Sequence, residues 1–238
     1  MRYKTIHFTT IDSTNKYLKE NYQKYDNLTF VSSDFQTNGK GREDRTWISN
    51  KKENLLFSVL IKDQELINKY SSLSLLSGYV IFKVLKDLGI KEVSIKWPND
   101  VYVSGNKICG ILMESVSLDT KIEALVIGIG LNVNQEHIVC EQKTTSIRQI
   151  KQKKVFIHSI KKKVYKCLKS ELSLLKENKS NYLEEVRNNN YLFNKTGFAT
   201  INNQKVQIKV LDINEDNSLK VLYNNEIVNL SSGEVSFH

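Results

Sequence analysis

The 238-residue sequence predicts an α+β fold built on a mixed β-sheet of roughly six or seven strands with helices on one side, and three observations carry that reading. Two runs, Asn54 to Ile61 and Leu125 to Val133, are apolar enough to be strands buried on both faces. Two longer stretches, Leu66 to Leu88 and Val155 to Val186, repeat apolar residues at helical spacing. From Gly197 to Phe237 the chain changes to short β runs parted by Asn202-Asn203, Asn214-Glu215-Asp216-Asn217 and Asn224-Asn225, a meander that predicts a small terminal barrel. The expected domains are 1–192 and 193–238.

In chain order, residues 3 to 8 read as a strand and Asp12-Ser13-Thr14-Asn15 as a helix start capped by Asp12 or Ser13. A helix start also presents free N–H groups and hydroxyls suited to a polar headgroup. Leu28 to Ser32 reads as a strand that feeds the segment Phe35-Gln36-Thr37-Asn38-Gly39-Lys40-Gly41-Arg42-Glu43-Asp44-Arg45-Thr46-Trp47, which packs cations between glycines. Such a loop can close around a phosphate or carboxylate; taken alone it reads more readily as an exposed turn between strands. It is neither a Walker A loop nor a dinucleotide fingerprint, because Gly41 follows the lysine and Asp44 stands at the third glycine position. The helix from Leu66 ends at Gly89. Val93 to Val103 then holds the chain's one proline in Lys96-Trp97-Pro98-Asn99-Asp100, a hairpin turn that delivers Lys96, Asn99 and Asp100 to one strand end. Lys107 opens the next strand, Lys107 to Glu114, after a Gly105-Asn106 turn. Gly128 and Gly130 alternate within a buried strand, the pattern of a bulge, of tight packing, or of a group lying flat on that face. The second long helical stretch stops around Asn188-Asn189-Asn190.

Lys+Arg 35 against Asp+Glu 26 gives +9, with much of the excess in lysines spread over a helical face from Lys151 to Lys169. That pattern reads mostly as solvated surface, and the terminal β segment lacks the concentrated aromatic and basic face that single-strand nucleic-acid binding uses. Cys109, Cys140 and Cys167 form no CxxC pair, and His137-x-x-Cys140 stands alone, so no disulfide framework or metal site is predicted. No apolar run reaches the roughly 20 residues of a membrane span, and Met1-Arg2-Tyr3-Lys4 begins no signal segment; the expected compartment is the cytoplasm.

In their order and spacing, Asp12-Ser13-Thr14-Asn15, Gln36 through Trp47, Lys96-Trp97-Pro98-Asn99-Asp100, Lys107-Ile108-Cys109-Gly110-Ile111-Leu112 and Gly128-Ile129-Gly130-Leu131-Asn132 resemble the bacterial biotin protein ligases, biotin–[acetyl-CoA-carboxylase] ligases. The resemblance covers nearly the whole chain. Asp44, where many members have Gly, departs from the pattern. About a dozen residues precede Ser13, so the resemblance implies the monofunctional form without an N-terminal DNA-binding domain, and no operator-specific DNA binding. It also implies a class II synthetase-like catalytic sheet and an SH3-like terminal barrel.

Enzymes of this kind activate the carboxylate of biotin with ATP, release pyrophosphate, and pass the acyl group to a lysine of a biotin carboxyl carrier protein. The resemblance implies biotin binding by Ser13, Thr14, Asn15, Gln36, Gly39, Lys40, Gly41, Arg42 and Lys107, over a floor of Gly110, Gly128 and Gly130. It implies adenylate binding by Arg42, Arg45, Trp47, Asn99, Lys107 and Asn132, with Trp47 over the adenine. Lys107, Arg42, Arg45 and Asp100 carry the chemistry, because charge gathers on phosphorus oxygens in the transition state and fixed cations stabilise it. The resemblance further implies that Asp100 helps orient the incoming amine or a metal; Mg²⁺ is expected with ATP, with no dedicated protein metal site. Monomer and sheet-edge homodimer read alike. The alternatives are a lipoate or octanoate ligase, whose aliphatic ligand leaves Ser13, Thr14 and Gln36 unpaired, and a basic nucleic-acid-binding module.

Overall fold

A computed structural model describes residues 4–43, 45–136, 142–201, 204–231 and 235–236. The expectations placed on Asp44, His137, Cys140 and Asn202-Asn203 lie outside the described residues.

The first sheet has seven strands in the order β1-β2-β3-β7-β6-β5-β4. They are β1 (Thr5–Phe8), β2 (Phe30–Ser33), β3 (Asn54–Ile61), β4 (Val93–Lys96), β5 (Asp100–Val103), β6 (Asn106–Leu118) and β7 (Lys121–Asn132). β1 and β2 run parallel, and every other neighbouring pair is antiparallel, so the sheet is mixed as predicted. β3 is buried at all eight positions, as its apolar run requires.

The alternation of β3 and β7 separates two apolar layers. Leu55, Phe57, Val59 and Ile61, with Ile127, Ile129 and Leu131, face a core closed by α3 (Tyr70–Asp87) and α5 (Ile157–Lys176). Val31, Leu60, Ala124 and Val126 face the other way and receive Leu18 of α1 (Thr14–Asn21). Helices therefore cover both faces, not one. A single Leu18, with Tyr17 and Tyr22 half-buried beside it, suffices to seat a two-turn helix, and a segment so short shows little periodicity in sequence.

Two further departures concern the long helical stretches. The stretch from Val155 to Val186 is two helices, α5 and α6 (Tyr182–Asn188), because Asn178 takes φ 55° and the polar run Glu177-Asn178-Lys179-Ser180-Asn181 offers nothing to bury. The stretch from Leu66 likewise divides into α2 (Gln64–Ile67), capped by Asp63, and α3, with Gly89 at φ 75° just beyond it as expected. A short helix, α4 (Ile147–Lys151), closed by a Ser146–Gln149 capping box, carried no prediction.

The second sheet is antiparallel and five-stranded, in the order β11-β10-β9-β8-β12, from β8 (Thr196–Ile201), β9 (Gln204–Ile213), β10 (Leu219–Tyr223), β11 (Glu226–Leu230) and β12 (Val235–Ser236). Its end strands β11 and β12 are not paired with each other among the described residues, so the ladder does not close as the expected barrel would. Asn217, between β9 and β10 at φ 70°, fastens it to the rest of the molecule. Its carbonyl accepts from Trp97 Nε1 at 2.9 Å, its Oδ1 accepts from Tyr182 Oη at 2.7 Å, and its Nδ2 donates to Ser72 Oγ at 3.2 Å.

Candidate active site

On the α1 face of the sheet, next to the start of that short helix, β6 and β7 present Gly110, Leu112, Gly128 and Gly130, and a cavity of about 840 Å³ opens above them. This is the size of a pocket that engulfs a small ligand. Every predicted site residue lines it except Gly39. Gly39 lies under the loop, where its carbonyl accepts from Trp47 N–H at 2.9 Å and a Cβ would come within 2.7 Å of the Trp47 carbonyl.

One end of the cavity is built by the start of α1. Ser13 caps the helix, its hydroxyl accepting from Lys16 N–H at 3.4 Å. Gln36, which lines the cavity, accepts through Oε1 from the Thr14 backbone N–H at 2.7 Å, so its amide nitrogen is the group left to donate. Thr14 Oγ1 lies 2.7 Å from Ser58 Oγ, and Ser58 donates to Asn15 Oδ1 at 2.5 Å. Asn15 Nδ2 donates to Leu112 O at 3.2 Å and to Glu114 Oε2 at 2.8 Å, and Glu114 Oε1 takes Lys19 Nζ at 2.6 Å. Burial raises the Glu114 carboxyl, yet the hydrogen bonds from Lys19 and Asn15 outweigh it and hold the group below the usual glutamate range. This end of the cavity is thus backed by a continuous polar chain that runs beneath α1.

The glycines of the floor have distinct neighbours. A Cβ at Gly128 would collide with the Asn15 amide, so this glycine admits the polar chain. A Cβ at Gly110 would come within 2.8 Å of Trp47 Cζ3, and one at Gly130 within 2.7 Å of Trp47 Nε1. The group lying flat on that face is the chain's own Trp47 indole, whose Nε1 is buried without a hydrogen-bond partner among the described residues.

The other end is charged. Lys107 Nζ pairs with Asp100 Oδ2 at 2.8 Å, both side chains being mostly buried, and stands 5.8 Å from the Trp47 ring centre. Arg42 Nη1 donates to Asn99 Oδ1 at 3.3 Å, and Asn99 Nδ2 donates to Ile111 O at 2.8 Å, so the Pro98 turn positions an arginine of the loop. Arg45 leans on Glu43 at 2.8 Å at the exposed rim, and Lys40 is exposed beside it. Asp100 Oδ1 and Asn132 Oδ1 are buried with no hydrogen-bond partner among the described residues. Unsatisfied acceptors on a cavity wall mark places where a ligand's donors or a cation fit. Lys96 also lines the wall; burial, opposed by the charge of Asp100, depresses its ammonium below the ordinary lysine range.

Sequence reasoning left out Ser58, Lys19, Glu114 and, from the site proper, Lys96. The signal for Ser58 was available: it is a lone hydroxyl in the middle of the apolar run Leu55 to Ile61. Cys109, adjacent to the site, faces the core and is fully buried, and burial pushes its thiol far above the usual range, so it is no nucleophile.

Residues 7–132 match the Biotin/lipoate A/B protein ligase family. The bifunctional ligase/repressor BirA of Escherichia coli (strain K12) is 34% identical over 128 residues, which is 54% of this chain and 40% of that protein. A biotin–[acetyl-CoA-carboxylase] ligase of Mycobacterium tuberculosis is 30% identical over 119 residues, 48% of this chain and 43% of that protein. These matches span less than half of the relatives' lengths. Among solved structures, the biotin protein ligase from Aquifex aeolicus in complex with biotin and ATP is similar over 99% of this chain and 98% of that one, with a TM-score of 0.86 and 28% identity. With its family segment running from His7 at the first strand to Asn132 at the end of the cavity floor, the chain belongs to the Biotin/lipoate A/B protein ligase family.

Proposed function

We propose that this chain is an ATP-dependent biotin ligase that forms biotinyl-5′-AMP and transfers the biotinyl group to a lysine of a biotin carboxyl carrier protein. The observation that carries the reading is the polarity of this cavity: a hydrogen-bonding end at Thr14 and Gln36, a glycine floor, and a cationic end at Lys107 and Arg42. A bicyclic urea with an acid on an aliphatic tail fits that sequence of surfaces. A plain fatty acyl or lipoyl tail would leave Thr14 and Gln36 unpaired.

In the first step a biotin carboxylate oxygen attacks the α-phosphorus of ATP, the bond from that phosphorus to the bridging oxygen breaks, and pyrophosphate leaves. Lys107 and Arg42 stabilise the charge that develops on the phosphorus oxygens. In the second step the acceptor amine attacks the acyl carbon, AMP leaves with the carbon–oxygen bond's electrons, and the amine gives up a proton. Asp100, whose buried Oδ1 has no partner among the described residues, would receive that proton or orient the amine. Mg²⁺ bound with ATP would neutralise phosphate charge, and a single carboxylate beside substrate phosphates is a usual setting for it. Asp100 is the residue that would hold it; no cluster of three or more metal-binding side chains occurs among the described residues. Asn132 and Trp47 would meet the adenylate. The domain division near residue 193 and a cytoplasmic setting, where ATP and the carrier protein meet, belong to the same reading.

The test is pyrophosphate exchange with ATP and, in turn, biotin, lipoate and octanoate. Exchange with biotin alone supports the reading; exchange with lipoate or octanoate but not biotin overturns it.

A further inference from the structure

Of the three polar residues at the start of α1, Asn15 has no donor left to offer a ligand. Its Nδ2 faces only acceptors, Leu112 O at 3.2 Å and Glu114 Oε2 at 2.8 Å, which fixes the orientation of the amide. Its Oδ1 therefore faces Ser58 and takes the Ser58 hydroxyl proton. With its own proton spent on Asn15, Ser58 Oγ can meet Thr14 Oγ1 at 2.7 Å only as an acceptor. The Thr14 proton then points to Ser58, or to Gln36 Oε1 at 3.0 Å, and in either case stays within the protein. What Thr14 Oγ1 presents to the cavity is a lone pair.

We propose that Asn15, Ser58 and Glu114 are positioning residues that fix the direction of this hydrogen-bond chain, so that Thr14 accepts from the ligand and selects one carrying an N–H at that place. The inference rests on the biotin reading, whose cyclic urea has two ring N–H groups. Glu114, tied to Lys19 at 2.6 Å, is the anchor: a carboxylate can only accept, and it holds Asn15 in the one orientation that propagates to Thr14. Gly128 is part of the device, since a side chain there would occupy the space of the Asn15 amide. Ser58, Thr14 and Asn15 are each almost fully buried, so water does not compete for these protons.

The experiment compares ligands rather than overall activity. Dissociation constants are measured by calorimetry for biotin and for the two cyclic carbamates in which one ring N–H or the other is replaced by oxygen, on the full chain and on Asn15→Leu. The parent should bind biotin and disfavour at least one carbamate by roughly 10²-fold, the effect of leaving a buried lone pair facing another lone pair. In Asn15→Leu the Ser58 proton is released, Thr14 can turn its own proton to the ligand, and the ratio should shrink to about 10-fold or less. Equal loss of affinity for biotin and carbamate, with the ratio unchanged, would assign Asn15 a merely structural part and overturn the inference. If the parent binds no biotin, the functional reading fails and this inference with it, whereas biotin binding with an unmoved ratio sinks this inference alone. Should Asn15→Leu not fold, Ser58→Ala cuts the next link of the same chain and is expected to narrow the ratio in the same way.

Discussion

Lys107 and Glu114 stand on one strand, and each holds one end of the cavity. Lys107, beside Asp100 and mostly buried, is the fixed cation of the site, whereas Arg45 sits at the solvent rim. Lys107→Ala should therefore slow biotinyl-adenylate formation by roughly 10² or more, read as single-turnover pyrophosphate release. A wild-type rate would remove Lys107 from the chemistry. Glu114 gives a pH dependence with a definite sign. Its folded-state pKa lies below the ordinary value, so its contribution to stability is present in full above the ordinary glutamate pKa and is lost as pH falls through the lower, folded one. Lys19, Asn15 and the charge of Lys40 supply the shift, so Glu114→Gln should flatten the acid limb of the stability curve; an acid limb identical to the parent's would contradict it. Lys107, Arg42 and the glycines were legible in sequence because their spacing is a motif. Glu114 was not, because nothing along the chain announces that a strand residue will meet Asn15, 99 positions away.

The loop from Gln36 to Trp47 illustrates how an element combines order and exposure. Gly41 N–H donates to Arg45 O at 2.7 Å and Trp47 N–H to Gly39 O, which makes a small hairpin. Its tip carries exposed Lys40, Glu43 and Arg45, and its anchor is the Trp47 indole laid over Gly110 and Gly130. Few apolar contacts hold such a tip. The amides of Lys40, Arg42 and Glu43 should exchange quickly in the free protein and slow at least about 10-fold with biotin and ATP. With Arg42→Gly the preformed adenylate should dissociate faster than in the parent, because the arginine that Asn99 positions no longer grips the phosphate. Equal protection with and without ligand, or an unchanged dissociation rate, would contradict this part. At this scale the sequence predicted the strands of the large sheet well, since burial on both faces writes continuous apolar runs. It missed the break at Asn178, because Leu175, Tyr182 and Val186 resume the apolar pattern in helical phase across the polar run.

For the molecule as a whole, the second sheet is not an appendage. Residues of both sheets share one apolar core, with Ile208, Val210, Leu219 and Val221 continuous with that of α3 and α5. Trp97, inside the Lys-Trp-Pro-Asn-Asp turn, spends its indole N–H on Asn217 O rather than on a ligand. Trp97→Phe should accordingly cost about 1–3 kcal/mol of stability in denaturant unfolding, since it leaves a buried carbonyl unpaired. A loss below about 0.5 kcal/mol would show that the bond carries little. The turn thus joins two tasks, docking the second sheet and aiming Asn99 and Asp100 into the cavity. The docking duty is invisible in sequence, where the same residues read as a hairpin that delivers Lys96, Asn99 and Asp100 to one strand end.

The central claim, that one cavity activates biotin and passes it on, is tested most directly by mass spectrometry of a single-turnover reaction. The chain is mixed with biotin and ATP·Mg²⁺, and a biotin carboxyl carrier domain is added afterwards. The account predicts biotinyl-5′-AMP held by the protein before the addition, and then one biotinyl group on a carrier lysine with release of AMP. A carrier left unmodified, with no adenylate formed from biotin and ATP, would contradict it.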